Sequence, residues 1–247
     1  MSVLKITGRW LAIDIMRGFA VILMVGYHFS FDLNYFGVVH QNFNYSVFWL
    51  SLRALIVSWF LILVGISLEF AAGSGNRHYW KRIARLVAAA LAVTIGSYLM
   101  FPQSFIFFGI LHFIAVASLI ARFFLRFYWI NLLLGSVIVV FGIAYSNLWF
   151  DQRWVQWIGL MTYKPITEDY VPLFPWLGIV FVGMFLGKAF LRMRAQGKLS
   201  VQRQNKEVLS PSAGLLLVPA WIGQHSLAIY LLHQPLLLGA LYLLLKH

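Results

Sequence analysis

The 247-residue chain is 62% hydrophobic and only 11% charged, with 22 Phe, 11 Tyr and 10 Trp, a composition that excludes a soluble globular domain and marks a polytopic membrane protein. It contains no cysteine, which removes disulfides, thiolate catalysis and cysteine metal ligands together. A formal charge of +12 would point to nucleic acid in a soluble protein; here the basic residues sit in short stretches between apolar segments, as membrane topology demands, and nucleic acid is excluded as a partner.

Seven apolar segments are each long enough, at about 17–25 residues, to cross a bilayer as helices. They fall near 10–29, 47–70, 84–101, 105–121, 128–146, 171–190 and 223–244. The first carries Asp14, Arg17 and His28. A charged side chain at the centre of a bilayer costs roughly 2.5–3.5 kcal/mol on insertion scales, so such a set points to function. Asp14 and Arg17 are one helical turn apart, and Arg17 to His28 is close to three whole turns, about 16 Å along the axis. All three share one stripe, with an ion pair near one end and a proton-transfer group near the other. Asp32, four residues after His28, can orient it if the helix continues that far; otherwise it is a solvated carboxylate. The first segment lacks a small-residue cleavage pattern, so no cleavable signal peptide is expected.

Arg53 lies near the outer end of the second segment, where it either snorkels to headgroups or holds substrate. Arg77, Lys81, Arg82 and Arg85 follow that segment as a cationic cluster suited to a phosphorylated nucleotide. His112 falls in the outer half of the fourth segment. The longest outer loop, 147–170, is aromatic and polar and long enough to cover or gate a site. The stretch 212–222 is apolar but short and contains Pro219, which suggests an interfacial or re-entrant approach. His233 lies near the middle of the last segment, beside the helix-kinking Pro235.

Fifteen of the nineteen lysines and arginines fall on one side of this layout, against Arg153, Lys164 and Lys246 on the other. The amino terminus is therefore expected in the cytoplasm and the carboxyl terminus outside. The expected fold is all-α, a polytopic membrane bundle of about seven transmembrane helices, with residues 1–247 forming one domain in a bacterial inner membrane. No metal is expected, because the histidines and Asp32 lack any ligand spacing.

Four stretches carry a resemblance: Arg9 to His28, which contains the Asp14-Ile-Met-Arg17-Gly18 core; Phe108-Gly-Ile-Leu-His112; Pro172-Leu-Phe-Pro-Trp176-Leu-Gly178; and Ser226-Leu-Ala-Ile-Tyr230-Leu-Leu-His233-Gln-Pro235. In this order they resemble the heparan-alpha-glucosaminide N-acetyltransferase-like family of integral-membrane acyltransferases. The resemblance implies transfer of an acetyl group from cytoplasmic acetyl-CoA, or another acyl-CoA, to an amine or hydroxyl of an extracytoplasmic sugar or glycan. In the animal enzyme the acting histidine lies in the loop after the first helix, for which His40 is the nearest counterpart here. An asparagine stands there in place of His28.

Acyl transfer needs a base for the nucleophile's proton and a donor for the developing oxyanion. The candidate catalytic residues are His28, His40 and Asp32. Arg17, Asp14, Arg77, Lys81 and Arg82 are the candidates for acyl-CoA. Arg53, His112, His233, Trp176 and Tyr230 are candidates to line the acceptor. The choice between His28 and His40 stays open, as does direct transfer against an acyl-histidine intermediate. A homodimer is compatible with these features. The competing readings are a small transporter or lipid-flipping protein using the same buried residues as a pathway, and a non-catalytic scaffold.

Overall fold

The computed structural model describes residues 10–197 and 211–245. These residues form eight α-helices and two short 3-10 turns, with no strand among them. The helices are α1 (Leu11–Tyr35), α2 (Val47–Phe70), α3 (Asn76–Met100), α4 (Ile110–Arg122), α5 (Trp129–Ala144), α6 (Trp176–Ala195), α7 (Pro211–Gln224) and α8 (Ser226–Leu245). α1, α2, α3, α6 and α8 are long and apolar enough to cross a membrane, while α4, α5 and α7 are shorter apolar helices. The chain is an all-α, multi-pass membrane protein.

Several boundaries differ from those drawn by hydropathy. α1 runs past 29 to Tyr35, so His28 lies two turns inside a helix rather than at its end. The stop is a glycine cap: Gly37 adopts φ +73, Val38 N–H donates to Leu33 O at 2.9 Å, and Gly37 N–H donates to Asn34 O at 3.1 Å, the paired bonds of a Schellman motif. α3 begins at Asn76, so Arg77, Lys81, Arg82 and Arg85 are helical rather than loop residues. α6 runs to Ala195, so Arg192 and Arg194, beyond the apolar segment that ends near 190, likewise belong to the helix. The last apolar segment starts as α8 at Ser226, after a break at His225. Lys5 and Arg9, and Lys198, Arg203 and Lys206, lie outside the described residues.

The chain forms two compact units, one of Met1–Phe60 with Val201–His247 and one of Leu61–Ser200; the division falls inside α2. In the second unit, helices approach through glycine. A Cβ at Gly135 would meet the Gly178 carbonyl, and one at Gly178 would meet the Gly135 carbonyl. Farther along the same pair, Gly142 of α5 abuts Pro175 at the start of α6, so the two helices run antiparallel. Gly65 and Gly183 bring the last turns of α2 against α6 in parallel fashion, through the backbones of Val180 and Ile62. Such small-residue seams replace the hydrophobic effect, which is weak between helices in lipid.

The polar contacts of this unit collect its basic residues at one end. Arg122 at the end of α4 donates to Asn76 Oδ1 at 2.5 Å and stacks over the Tyr79 ring at 4.1 Å. Arg192 of α6 stacks over Tyr128, just before α5, at 4.0 Å. Lys188 Nζ donates to the Leu125 and Phe127 carbonyls and pairs with Glu69 Oε2 at 3.9 Å. It thereby satisfies carbonyls left over after α4 ends. The opposite end carries residues 145–175, which are folded rather than loose. Asp151 accepts from Thr162 N and Oγ1 at 2.8 and 2.7 Å, Gln156 donates to Asp151 O at 2.9 Å, and Tyr170 donates to Gln156 O. Burial pushes the Tyr170 hydroxyl up, which keeps it a donor. Asp169 Oδ2 accepts from Ile110 N at 2.9 Å, placing a carboxylate at the positive end of α4.

In the first unit, α7 lies antiparallel along the first half of α1. Gly18 faces the Pro219 carbonyl, and Gly223 faces the Asp14 carbonyl so closely that a Cβ at either glycine would overlap backbone. The chain then reverses, and α8 runs parallel to α1, with His233 opposite His28 and Gln234 opposite Asp32. α7 is a short apolar helix followed by a reversal of the chain.

Candidate functional site

Of the thirteen candidate residues, eight lie in the first unit: Asp14, Arg17, His28, Asp32, His40, Arg53, Tyr230 and His233. Arg77, Lys81, Arg82, His112 and Trp176 lie in the second.

The α1 stripe is the backbone of the site. Asp14, Gly18, Val21, His28 and Asp32 recur at steps of three or four or their sum, the spacing of one helix face. Asp14 is 4% exposed, and its Oδ1 lies 3.2 Å from Arg17 Nη1. Around this pair the two glycines admit the α7 backbone, which leaves Asp14 little freedom to turn.

Farther along, His28 and His233 bring their rings together edge-on, with centroids 4.9 Å apart. His233 is buried, and its Nδ1 lies 2.7 Å from Tyr230 O. A carbonyl only accepts, so Nδ1 carries the proton and the neutral ring holds its lone pair on Nε2. The backbone thus fixes the tautomer, as a carboxylate or carbonyl commonly does for a catalytic or ligating imidazole. Tyr230, expected to line the acceptor, contributes through this carbonyl and through its ring, 5.7 Å from that of His233.

Asp32 is 1% exposed, which replaces the reading of a solvated carboxylate. Its Oδ1 accepts from Gln234 Nε2 at 2.7 Å, tying α1 to α8 one turn beyond the histidine pair. The Arg53 guanidinium lies near the Tyr27 hydroxyl, and the Tyr27 ring packs edge-on against Phe43 and Trp49. His40 is exposed and lines an open depression of about 540 Å³ with residues of the α1–α2 loop. The two rival bases therefore occupy different settings, one paired inside the helices and the other in a polar loop.

In the second unit His112 is fully engaged by its own surroundings. Gly109 N–H donates to Nδ1 at 3.3 Å, so the proton sits on Nε2, which donates to Thr94 Oγ1 at 3.0 Å. Thr94 in turn donates to Ile106 O at 2.8 Å. This is a helix-start histidine that joins α3 to α4. Trp176 is half-buried at the first position of α6. Arg77 and Lys81 are exposed on the first turns of α3, with Arg82 half-buried beside them.

Gln234 and Tyr27 were not anticipated, since an amide or phenol in an apolar segment carries no charge signal. Gln234 could have been found from its place between His233 and Pro235.

The family model described as heparan-alpha-glucosaminide N-acetyltransferase, catalytic, matches residues 9–235. The chain belongs to that family. No curated protein and no solved structure matches it. The heparan-alpha-glucosaminide N-acetyltransferase match begins at the residue before Trp10 and ends just past Gln234, so it spans both units and every candidate residue named above. This family is one of transmembrane acetyltransferases, and the chain is thereby a transferase.

Proposed function

We propose that the protein transfers an acetyl group from acyl-CoA on the cytoplasmic face to an amine or hydroxyl of a sugar presented on the opposite face, in the cytoplasmic membrane of a bacterium. The observation that carries this reading is the His28–His233 pair, on the same helix stripe as the Asp14–Arg17 ion pair. The amino terminus is cytoplasmic and the carboxyl terminus outside, from the 15-to-3 division of basic residues.

His28 takes the proton of the acceptor nucleophile as its lone pair attacks the thioester carbonyl. The carbon–nitrogen or carbon–oxygen bond forms, the carbon–sulfur bond breaks, and the proton passes to the departing thiolate, releasing free CoA. His233, with its tautomer set by Tyr230 O, positions His28 and offers a second site for the proton. Arg17, held by Asp14, meets the thioester oxygen or a phosphate, where a fixed cation is worth most in a water-poor site. Arg77, Lys81 and Arg82 raise the local concentration of a polyanionic donor at the cytoplasmic face. Asp32 and Gln234 hold α8 in register with α1, and Arg53 orients Tyr27.

Donor binding is tested by thermal unfolding of the detergent-solubilised protein. CoA or acetyl-CoA at a hundredfold excess over Kd is expected to stabilise it by about 2.7 kcal/mol. Arg17→Ala should lose most of that shift. Absence of any shift at saturating CoA would favour a transporter using the same buried residues.

A further inference from the structure

The basic end of the second unit holds two guanidiniums that the chain's own carboxylates leave alone. Of the carboxylates described in this unit, Asp151, Glu168 and Asp169 lie at the opposite end, and Glu69 pairs with Lys188. Lys188 is further committed to the Leu125 and Phe127 carbonyls, and Arg122 to Asn76. Arg126 and Arg192 make no hydrogen bond or ion pair among the described residues. Each sits over a ring instead, Arg126 over Phe127 at 4.6 Å and Arg192 over Tyr128 at 4.0 Å. Both side chains are exposed, yet they are drawn onto consecutive rings of the linker between α4 and α5. A guanidinium held against a ring keeps its N–H donors, fixed in direction, for a forked acceptor such as phosphate.

An apolar stripe begins directly beside them. Trp129, Leu133, Val137 and Val140 share one face of α5 by spacing, and each is more than half exposed. The Trp129 ring lies 4.9 Å from that of Tyr128 and 5.5 Å from that of Phe185, so it belongs to the cluster that carries Arg192. The stripe is about 16 Å long, close to the depth of one leaflet of a ~30 Å hydrocarbon core. A soluble nucleotide has no use for such a surface. We propose that Arg126 and Arg192 bind the phosphate of an anionic phospholipid, with Trp129 at the headgroup level and an acyl chain along the α5 stripe. Indole favours that level, and guanidinium favours phosphate. A zwitterionic headgroup would bring its own cation toward two guanidiniums, so the site selects net negative charge. On the topology proposed above this is the cytoplasmic leaflet; the binding itself depends on neither that topology nor acetyl transfer.

Native mass spectrometry of the full-length protein in detergent, titrated with phosphatidylglycerol or phosphatidylcholine, reads the site without any acyl-CoA. The unaltered chain should retain phosphatidylglycerol in preference to phosphatidylcholine. Arg126→Gln and Arg192→Gln should each weaken phosphatidylglycerol about fivefold, the weight of one basic residue at an anionic surface, and leave phosphatidylcholine as it was. Arg85→Gln removes the same charge from an exposed position on α3 and should leave the preference intact. If a glutamine variant fails to fold, Arg126→Lys or Arg192→Lys takes its place; each keeps the charge but not the planar fork, and should weaken phosphatidylglycerol twofold or more on the order of one lost hydrogen bond. Equal retention of the two lipids, or an equal loss in Arg85→Gln, would overturn the site in favour of a diffuse surface charge. Displacement of phosphatidylglycerol by millimolar CoA would give the arginines to the donor and overturn it as well. So would a dimer that forms in phosphatidylcholine and excludes phosphatidylglycerol, since the stripe would then belong to a second copy of the chain.

Discussion

His28→Ala should leave the protein folded and able to bind acyl-CoA, yet lower transfer by roughly 10²–10⁴-fold, the usual contribution of a positioned proton acceptor. His233→Ala should fall by a similar factor although it is one helix away, because its tautomer is fixed by Tyr230 O and its ring lies against that of His28. If the two imidazoles act as a unit, the double variant will be scarcely worse than either single one, since residues of one catalytic group are strongly non-additive. Multiplicative losses would show that they act separately. His40→Ala is the necessary comparison. A large loss there, with near-normal rates in His28→Ala, would return the base to the loop, as the resemblance to the animal enzyme implies. Loss of folding in His28→Ala would identify a histidine whose task is to join α1 to α8.

Gly18→Leu and Gly223→Leu should be the most damaging substitutions for stability. At both positions even a Cβ would overlap a backbone carbonyl of the partner helix, and backbone cannot rotate away as a side chain can. Over-packing a fitted seam costs about 1–3 kcal/mol, with larger values where nothing can give. Thermal melts would report it as a fall of roughly 2–4 °C per kcal/mol for a chain of this size. Gly26→Leu and Gly239→Leu are the controls, since nothing lies within 4 Å of a Cβ built at either. Because α7 leads directly into α8, displacing the seam also moves His233 and Gln234. The smaller change Gly223→Ala should therefore reduce transfer without touching a reacting atom, as displacements of about 1 Å can cost 10²-fold. Equal stability of Gly18→Leu and Gly26→Leu would contradict the α1–α7 packing.

The parts of this molecule legible in the sequence are those written in charge and hydropathy. Asp14, Arg17 and His28 stand out because ionisable groups are expensive in an apolar helix, and helical periodicity alone put them on one face. The parts that were not legible depend on contacts distant in sequence. Asp32 could not be assigned a buried role until Gln234, some two hundred residues away, was brought beside it. Lys188 gives no sign in the sequence of its partners, yet inside α6 its long stem reaches Glu69 and the carbonyls after α4. The start of α3 was misjudged because Arg77, Lys81 and Arg82 depress hydropathy without breaking a helix. The end of α1 was marked locally by Gly37, a signal that hydropathy does not weigh.

Transfer across a sealed membrane tests the account most directly. Right-side-out vesicles containing the protein would be loaded with labelled acetyl-CoA and given glucosamine outside. The account predicts label on the external amino sugar, released CoA within, and loss of both in His28→Ala. Label remaining on CoA while an acceptor sugar crosses the membrane without any need for acetyl-CoA would contradict it.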